Sequence, residues 1–231
     1  MTDDTLTAAQ ARKANAEAEV AVIEAQLKAV ELERAQHDLD YARANAANTL
    51  WERDLRESRD GFKTGVFRLD QAVTLGSVDH IRNDLVAYSQ LFPEAPITVE
   101  YCSPGGNVLA GWDLFDLLRR LSNRGHHVTT RVTGYAASMA GVLLQAGDTR
   151  IIGAQSYLHL HQVSSGAIGK VAEMEDATEF AKKLTHQICS IYAERAGRPD
   201  DADEIFAWIE RYERWLDAGE ALDQGFVDLI D

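Results

Sequence analysis

Three side chains have the types and spacing to do nucleophilic chemistry: Ser138, His159 and His161. A serine hydroxyl attacks poorly until a neighbouring base takes its proton, and histidine titrates in the useful range. Residues 134–141 read GYAASMAG. The pattern predicts a strand ending at Gly134, a turn through small residues and an apolar helix starting near Ser138. A serine there meets the positive end of the helix dipole and unsatisfied backbone N–H groups. The Met139 N–H can face a developing oxyanion. The same pattern also fits a serine that merely caps its helix. Residues 103–106, SPGG, follow a strand and precede a helix, and Gly105 offers a second N–H where only glycine allows close approach. In YLHLHQ (157–162) the two histidines alternate with leucines, so both fall on one face of a strand. Two histidines also begin a metal site, but no third ligand with local spacing follows. The expectation is no metal and no cofactor. The other histidines (37, 80, 126, 127 and 186) lie in polar or helical contexts and read as surface.

The elements that must position these groups alternate after residue 60. Residues 65–74 read as a strand, and Ser77 as the cap of a helix carrying Ile81, Leu85 and Tyr88. ITVEYC (97–102) is a strand. Val108, Trp112, Phe115, Leu118 and Leu121 keep helical spacing, with Gly125 past the helix end. Residues 127–134 form a further strand, and SMAGVLLQAG (138–147) is apolar throughout, hence a buried helix. TRIIG and SYLHLHQ are strands. A long helix covers roughly 171–196, a shorter one runs from Asp203 to Arg211, and Asp217 with Glu220 makes a capping box for a last one. Residues 7–59 contain no proline or glycine and are rich in helix formers. They predict a helical arm over 1–60, ahead of a domain over 61–231.

Charge narrows the function classes. With 37 acidic against 23 basic residues the net charge is −14. Such a surface repels phosphate backbones and anionic membranes. No stretch approaches the ~18 apolar residues of a membrane span, and the first ten residues lack the basic-then-apolar pattern of a secretory signal. Two cysteines, Cys102 and Cys189, form no framework and read as small buried hydrophobes. The expected setting is reducing and cytoplasmic.

SPGG, GYAASMAG and LHLHQ, in that order, resemble ClpP, the proteolytic subunit of ATP-dependent Clp proteases, and are similar to the ClpP-related head-maturation proteases of phages. The resemblance runs from about Gly65 to Asp231 and includes the tail WLDAGEALDQGFVDLI. His161 lies 23 residues after Ser138, near the family's spacing. The resemblance implies an α/β fold, the ClpP/crotonase-type spiral of ββα units. It implies Ser138 as nucleophile, His161 as base (the histidine before the glutamine), and Gly105 and Met139 as oxyanion donors. It makes SSGAIGK (164–170) the start of the element through which rings pair. For the third triad member, ungapped matching from Arg214-Trp215-Leu216 puts Ile209 in the acid's place. A one-residue shift brings in Glu210, with Glu213 second, and a Ser-His dyad needs neither. The implied partners are polypeptide substrates and further copies in a homo-oligomeric ring. An AAA+ unfoldase or a capsid or scaffold protein would meet residues 1–60. The implied location is the bacterial cytoplasm or a phage prohead. The arm does not resemble the family's short axial loops, which favours the phage type. The alternatives are a ring-forming assembly protein with a degenerate site and a crotonase-type acyl-CoA enzyme.

Overall fold

The computed structural model describes residues 28, 32, 34–36, 60–164 and 168–231. The chain divides into two compact units, Met1–Ser58 and Arg59–Asp231. In the first, the described residues, among them Lys28 and Leu32, are helical and exposed. The helical arm expected there otherwise lies outside the described residues, as does part of the 164–170 segment.

The second unit is an α/β fold. Its elements are α1 (Asp60–Thr64), β1 (Val66–Leu69), α2 (Leu75–Leu91), β2 (Ile97–Ser103), α3 (Val108–Asn123), β3 (Val128–Ala137) and α4 (Met139–Leu144). They continue with β4 (Thr149–Ile152), β5 (Tyr157–Leu160), α5 (Val171–Arg195), a 3₁₀ turn (Pro199–Asp201), α6 (Ala202–Ile209), β6 (Arg214–Leu216), α7 (Ala218–Asp223) and β7 (Leu229–Ile230). A parallel sheet runs in the order β1-β2-β3-β4-β7. After a helix, β2, β3 and β4 each return beside the preceding strand, the arrangement that covers a parallel sheet with helices, and β7 closes the edge beside β4. In β2 every second residue is buried, Ile97, Val99, Tyr101 and Ser103, and packs toward the core. Glu100 on the opposite face accepts from Arg68 Nε at 2.8 Å, on the neighbouring strand.

Three local readings change. The N-cap of α2 is Thr74, not Ser77: the Ser77 N–H donates to Thr74 Oγ1 and the Thr74 N–H to Ser77 Oγ, so the capping box starts three residues earlier. Strand β3 does not stop at Gly134 but continues to Ala137. Its first part pairs with β4 through Thr129–Val132, and its last part pairs with β5 through Tyr135–Ala137. Gly134, at φ +85°, supplies the kink between the two pairings, a conformation L side chains rarely adopt. His126, read as a surface residue, is 3% exposed. Its Nδ1 contacts the Ala95 carbonyl at 2.7 Å and its Nε2 the Ser89 hydroxyl at 2.8 Å, which satisfies both ring nitrogens without water.

Helix α4 is buried along its whole length, as its composition predicts. Met139, Leu143 and Leu144 are among the largest fully buried side chains, each stabilising the fold by roughly 2–3 kcal/mol. That burial anchors whatever stands at the helix start. The small antiparallel pairing of β5 with β6, absent from the sequence reading, places His159 opposite Trp215.

Candidate active site

Ser138 occupies the one-residue junction between β3 and α4. Its N–H donates to the His159 carbonyl at 2.9 Å, and its own carbonyl accepts from the N–H groups of Gly141 and Val142. Both neighbours are thus fixed, one by a strand ladder and the other by a buried helix. The residue between them is forced to φ +55° and ψ −126°. For a non-glycine residue this costs about 1–3 kcal/mol, and it persists only because the surroundings dictate it. The Ser138 side chain makes no capping hydrogen bond. The bland reading of a helix cap therefore does not describe it.

Gly105 presses against this junction. It is buried at φ +79°. A Cβ there would lie 2.3 Å from the Ala137 carbonyl oxygen, 2.7 Å from Ser138 Cβ and 2.8 Å from the Met139 nitrogen. The sequence assigned Gly105 and Met139 to one oxyanion site, and the structure brings their backbones together beside Ser138. The Met139 N–H opens α4 and has no intrahelical acceptor. The Gly105 N–H donates to Ser103 Oγ at 3.2 Å, while Ser103 Oγ donates to the Gln71 carbonyl at 2.6 Å.

His161 lies just beyond the end of β5 and lines the same cavity as Ser138, a space of about 50 Å³. No direct hydrogen bond joins hydroxyl and imidazole, as is common where catalytic contacts tighten only on a substrate. Val142, Leu160, Ile188, Ile205 and Ile209 give the cavity apolar walls. Cys189 and Tyr192 also line it, and burial pushes the Cys189 thiol up to about 12, so it stays a thiol rather than a competing nucleophile.

The carboxylates separate. Glu210 is the exposed C-cap of α6, and no ion pair joins it to either imidazole. Glu213, the second choice from sequence, places Oε2 at 3.4 Å from His159 Nε2. The acid that reaches the histidine pair is therefore Glu213, and it reaches the member that the sequence left without a role. The reason is β6: four residues, Glu210 to Glu213, carry the chain from α6 to a strand paired with β5. No pattern local to residues 209–213 encodes that pairing. Burial holds His159 below the usual histidine value, the neighbouring His161 charge adds to this, and Glu213 opposes it. Among the described residues no group of three or more His, Cys, Asp or Glu is placed to hold a metal ion.

A family model described as Clp protease matches residues 56–231. The chain belongs to the Clp protease family. It is 32% identical over 179 residues to ATP-dependent Clp protease proteolytic subunit 3 of Rhodococcus jostii, covering 74% of this chain and 86% of that protein. It is 32% identical over 170 residues to the ATP-dependent Clp protease proteolytic subunit of Bacteroides fragilis, covering 70% of this chain and 79% of that one. The subunit of Porphyromonas gingivalis is 29% identical over 170 residues, at 70% and 74% coverage. Membership accounts for the parallel sheet and for the resemblance of SPGG, GYAASMAG and LHLHQ: this is a ClpP-like peptidase. Among the described residues no helix is long and apolar enough to cross a membrane.

Proposed function

We propose that this Clp protease family member is a serine endopeptidase that works through an acyl-enzyme, with Ser138 as nucleophile and His161 as general base. The observation that carries the reading is the backbone of Ser138. A non-glycine residue is held at φ +55° between a strand and a buried helix, its hydroxyl left out of capping, in a cavity shared with one imidazole. Strain of this kind makes sense where it aims a reacting atom.

Ser138 Oγ attacks the peptide carbonyl while His161 takes its proton. The oxyanion that forms is held by the N–H groups of Met139 and Gly105, the latter turning from Ser103 Oγ. His161 then gives the proton to the departing amine as the C–N bond breaks, and water repeats the sequence on the ester. The carboxylate that supports the base is Glu213, preferred over Glu210 because it alone contacts the histidine pair. The apolar walls suit an apolar side chain next to the cleaved bond.

The relatives' name, proteolytic subunit, supports action on polypeptides as one subunit of an assembly; on this reading the chain forms a homo-oligomeric ring in the cytoplasm. The arm over residues 1–60 would dock an unfoldase or a capsid or scaffold protein, the latter in a phage prohead. Labelling of Ser138 by a fluorophosphonate, lost in Ser138→Ala, together with hydrolysis of an unfolded polypeptide, is the expected result. An assembled sample that neither labels nor cleaves would leave only the reading of a catalytically silent assembly protein.

A further inference from the structure

We infer that His159 is the positioning residue through which Glu213 acts on His161. The inference rests on the reading of Ser138 and His161 as nucleophile and base, and it assigns work to a histidine that reading does not use.

The first observation is burial. His159 is 7% exposed, and its strand neighbours Leu158 and Leu160 are buried leucines. An imidazole in such a place costs free energy that an apolar side chain of similar size avoids. Its Nε2 forms no hydrogen bond among the described residues. The acceptor that approaches it is Glu213 Oε2, at 3.4 Å, longer than an ordinary hydrogen bond. The Glu213 side chain is 69% exposed, so its carboxylate has room to close or withdraw.

The second observation is the ring arrangement. The His159 and His161 rings lie 5.2 Å apart and within 19° of parallel, and the Trp215 ring stacks on His159 at 4.2 Å and 18°. Trp215 fixes the plane of His159 from the neighbouring strand, and His159 in turn lies along the ring of His161. No ion pair connects Glu213 to His161 directly. Glu213 therefore meets the histidine pair at His159.

The groups facing His159 are few. Glu213 approaches from the segment before β6, and His161 from the end of its own strand. Its cross-strand partners are Ala137 on β3 and Trp215 on β6. Arg214, next on β6, is turned to the Trp208 carbonyl at 2.8 Å. Glu213 stands at the Nε2 edge of His159, and the stacked His159 ring holds the plane in which His161 takes the serine proton.

A double-mutant cycle on kcat/KM tests this, using Glu213→Gln, His159→Phe and the two combined. His159→Phe keeps a stacking ring and removes Nε2. His159→Gln, of different size and polarity, is run beside it, and thermal melts check that each variant is folded. With His159 present, Glu213→Gln should lower kcat/KM roughly tenfold, through kcat with KM unchanged, as a slightly misplaced base does. With Phe or Gln at 159, the same change should cost less than about twofold. An equal factor in both backgrounds overturns the inference, because Glu213 then acts on His161 directly. So does wild-type kcat/KM in His159→Phe or His159→Gln, which makes His159 a filler. Either result with Ser138 still labelled by a fluorophosphonate sinks this inference alone, whereas a wild-type protein that is not labelled sinks the proposed function with it.

Discussion

Replacing Gly105 by alanine tests the packing of the SPGG turn against the Ser138 junction. The added Cβ would sit 2.3 Å from the Ala137 carbonyl oxygen and 2.8 Å from the Met139 nitrogen, both backbone atoms. No rotamer change relieves that, so the turn or the junction must move. The φ of +79° adds about 1 kcal/mol for a residue with a Cβ, and overpacking of this kind costs about 1–3 kcal/mol. The expected loss is about 2–4 kcal/mol, roughly 5–15 °C in Tm for a unit of this size, at matched protein concentration. The same displacement separates the two N–H donors. A shift near 1 Å in a catalytic contact costs on the order of 10²-fold in rate, and loss of one oxyanion donor about 10²–10³-fold. Gly76→Ala is the control. It lies exposed within α2, its nearest non-neighbouring atom is 3.9 Å away and its φ is not positive, so it should gain about 0.5–1 kcal/mol. Calorimetry and the rate of fluorophosphonate labelling read the two effects separately. A Gly105→Ala protein that melts with wild type refutes the packing. One that melts early yet labels at the wild-type rate refutes the oxyanion role.

Three further outcomes are expected. Ser138→Gly should remove labelling while raising stability by about 1 kcal/mol, because glycine accepts φ +55° without strain; Ser138→Ala should lose labelling without that gain, and equal melts for the two would contradict the strain. Asp228→Ala should cost about 3 kcal/mol in denaturant melts. It strands the buried Arg150 guanidinium, whose Nε donates to Asp228 Oδ2 at 3.0 Å, with Gln145 Oε1 and the Gly225 carbonyl as remaining acceptors; a loss under 1 kcal/mol would mean those two suffice. His159, held below its ordinary value by burial, binds its proton more weakly in the folded chain than in the unfolded one. Its contribution is therefore complete above the unfolded value, about 6.5, and is lost as pH falls below it. Wild type should lose stability relative to His159→Phe as pH falls below about 6.5, and parallel curves would contradict this.

Much of the site can be read along the chain. Ser138 announces itself because an almost wholly apolar segment must be a buried helix, and a serine at its start stands beside free N–H groups. SPGG and the Asp217–Glu220 capping box are equally local, since φ-permissive glycines and side-chain caps act within four residues. The strain at Ser138 is not local. It exists because β3 continues to Ala137 and pairs with β5 there, so the strand ladder and α4 meet with one residue between them. Likewise His126 reads as surface until Ser89 and the Ala95 carbonyl close around it.

The sequence by itself determined the order of the larger strands and helices up to the Asp217 capping box, and the candidate nucleophile with its flanking N–H donors, because periodicity and backbone chemistry are carried by short segments. It left the short strands β6 and β7 unread, and between His159 and His161 only the family resemblance chose the base. Only the tertiary structure decided which carboxylate meets which imidazole. Glu210 and Glu213 are equivalent as residue types, three positions apart, and both precede the tail that resembles the family. What separates them is the antiparallel register of β6 on β5, with His159 opposite Trp215. Strand partners are chosen by burial and hydrogen bonding across distant parts of the chain.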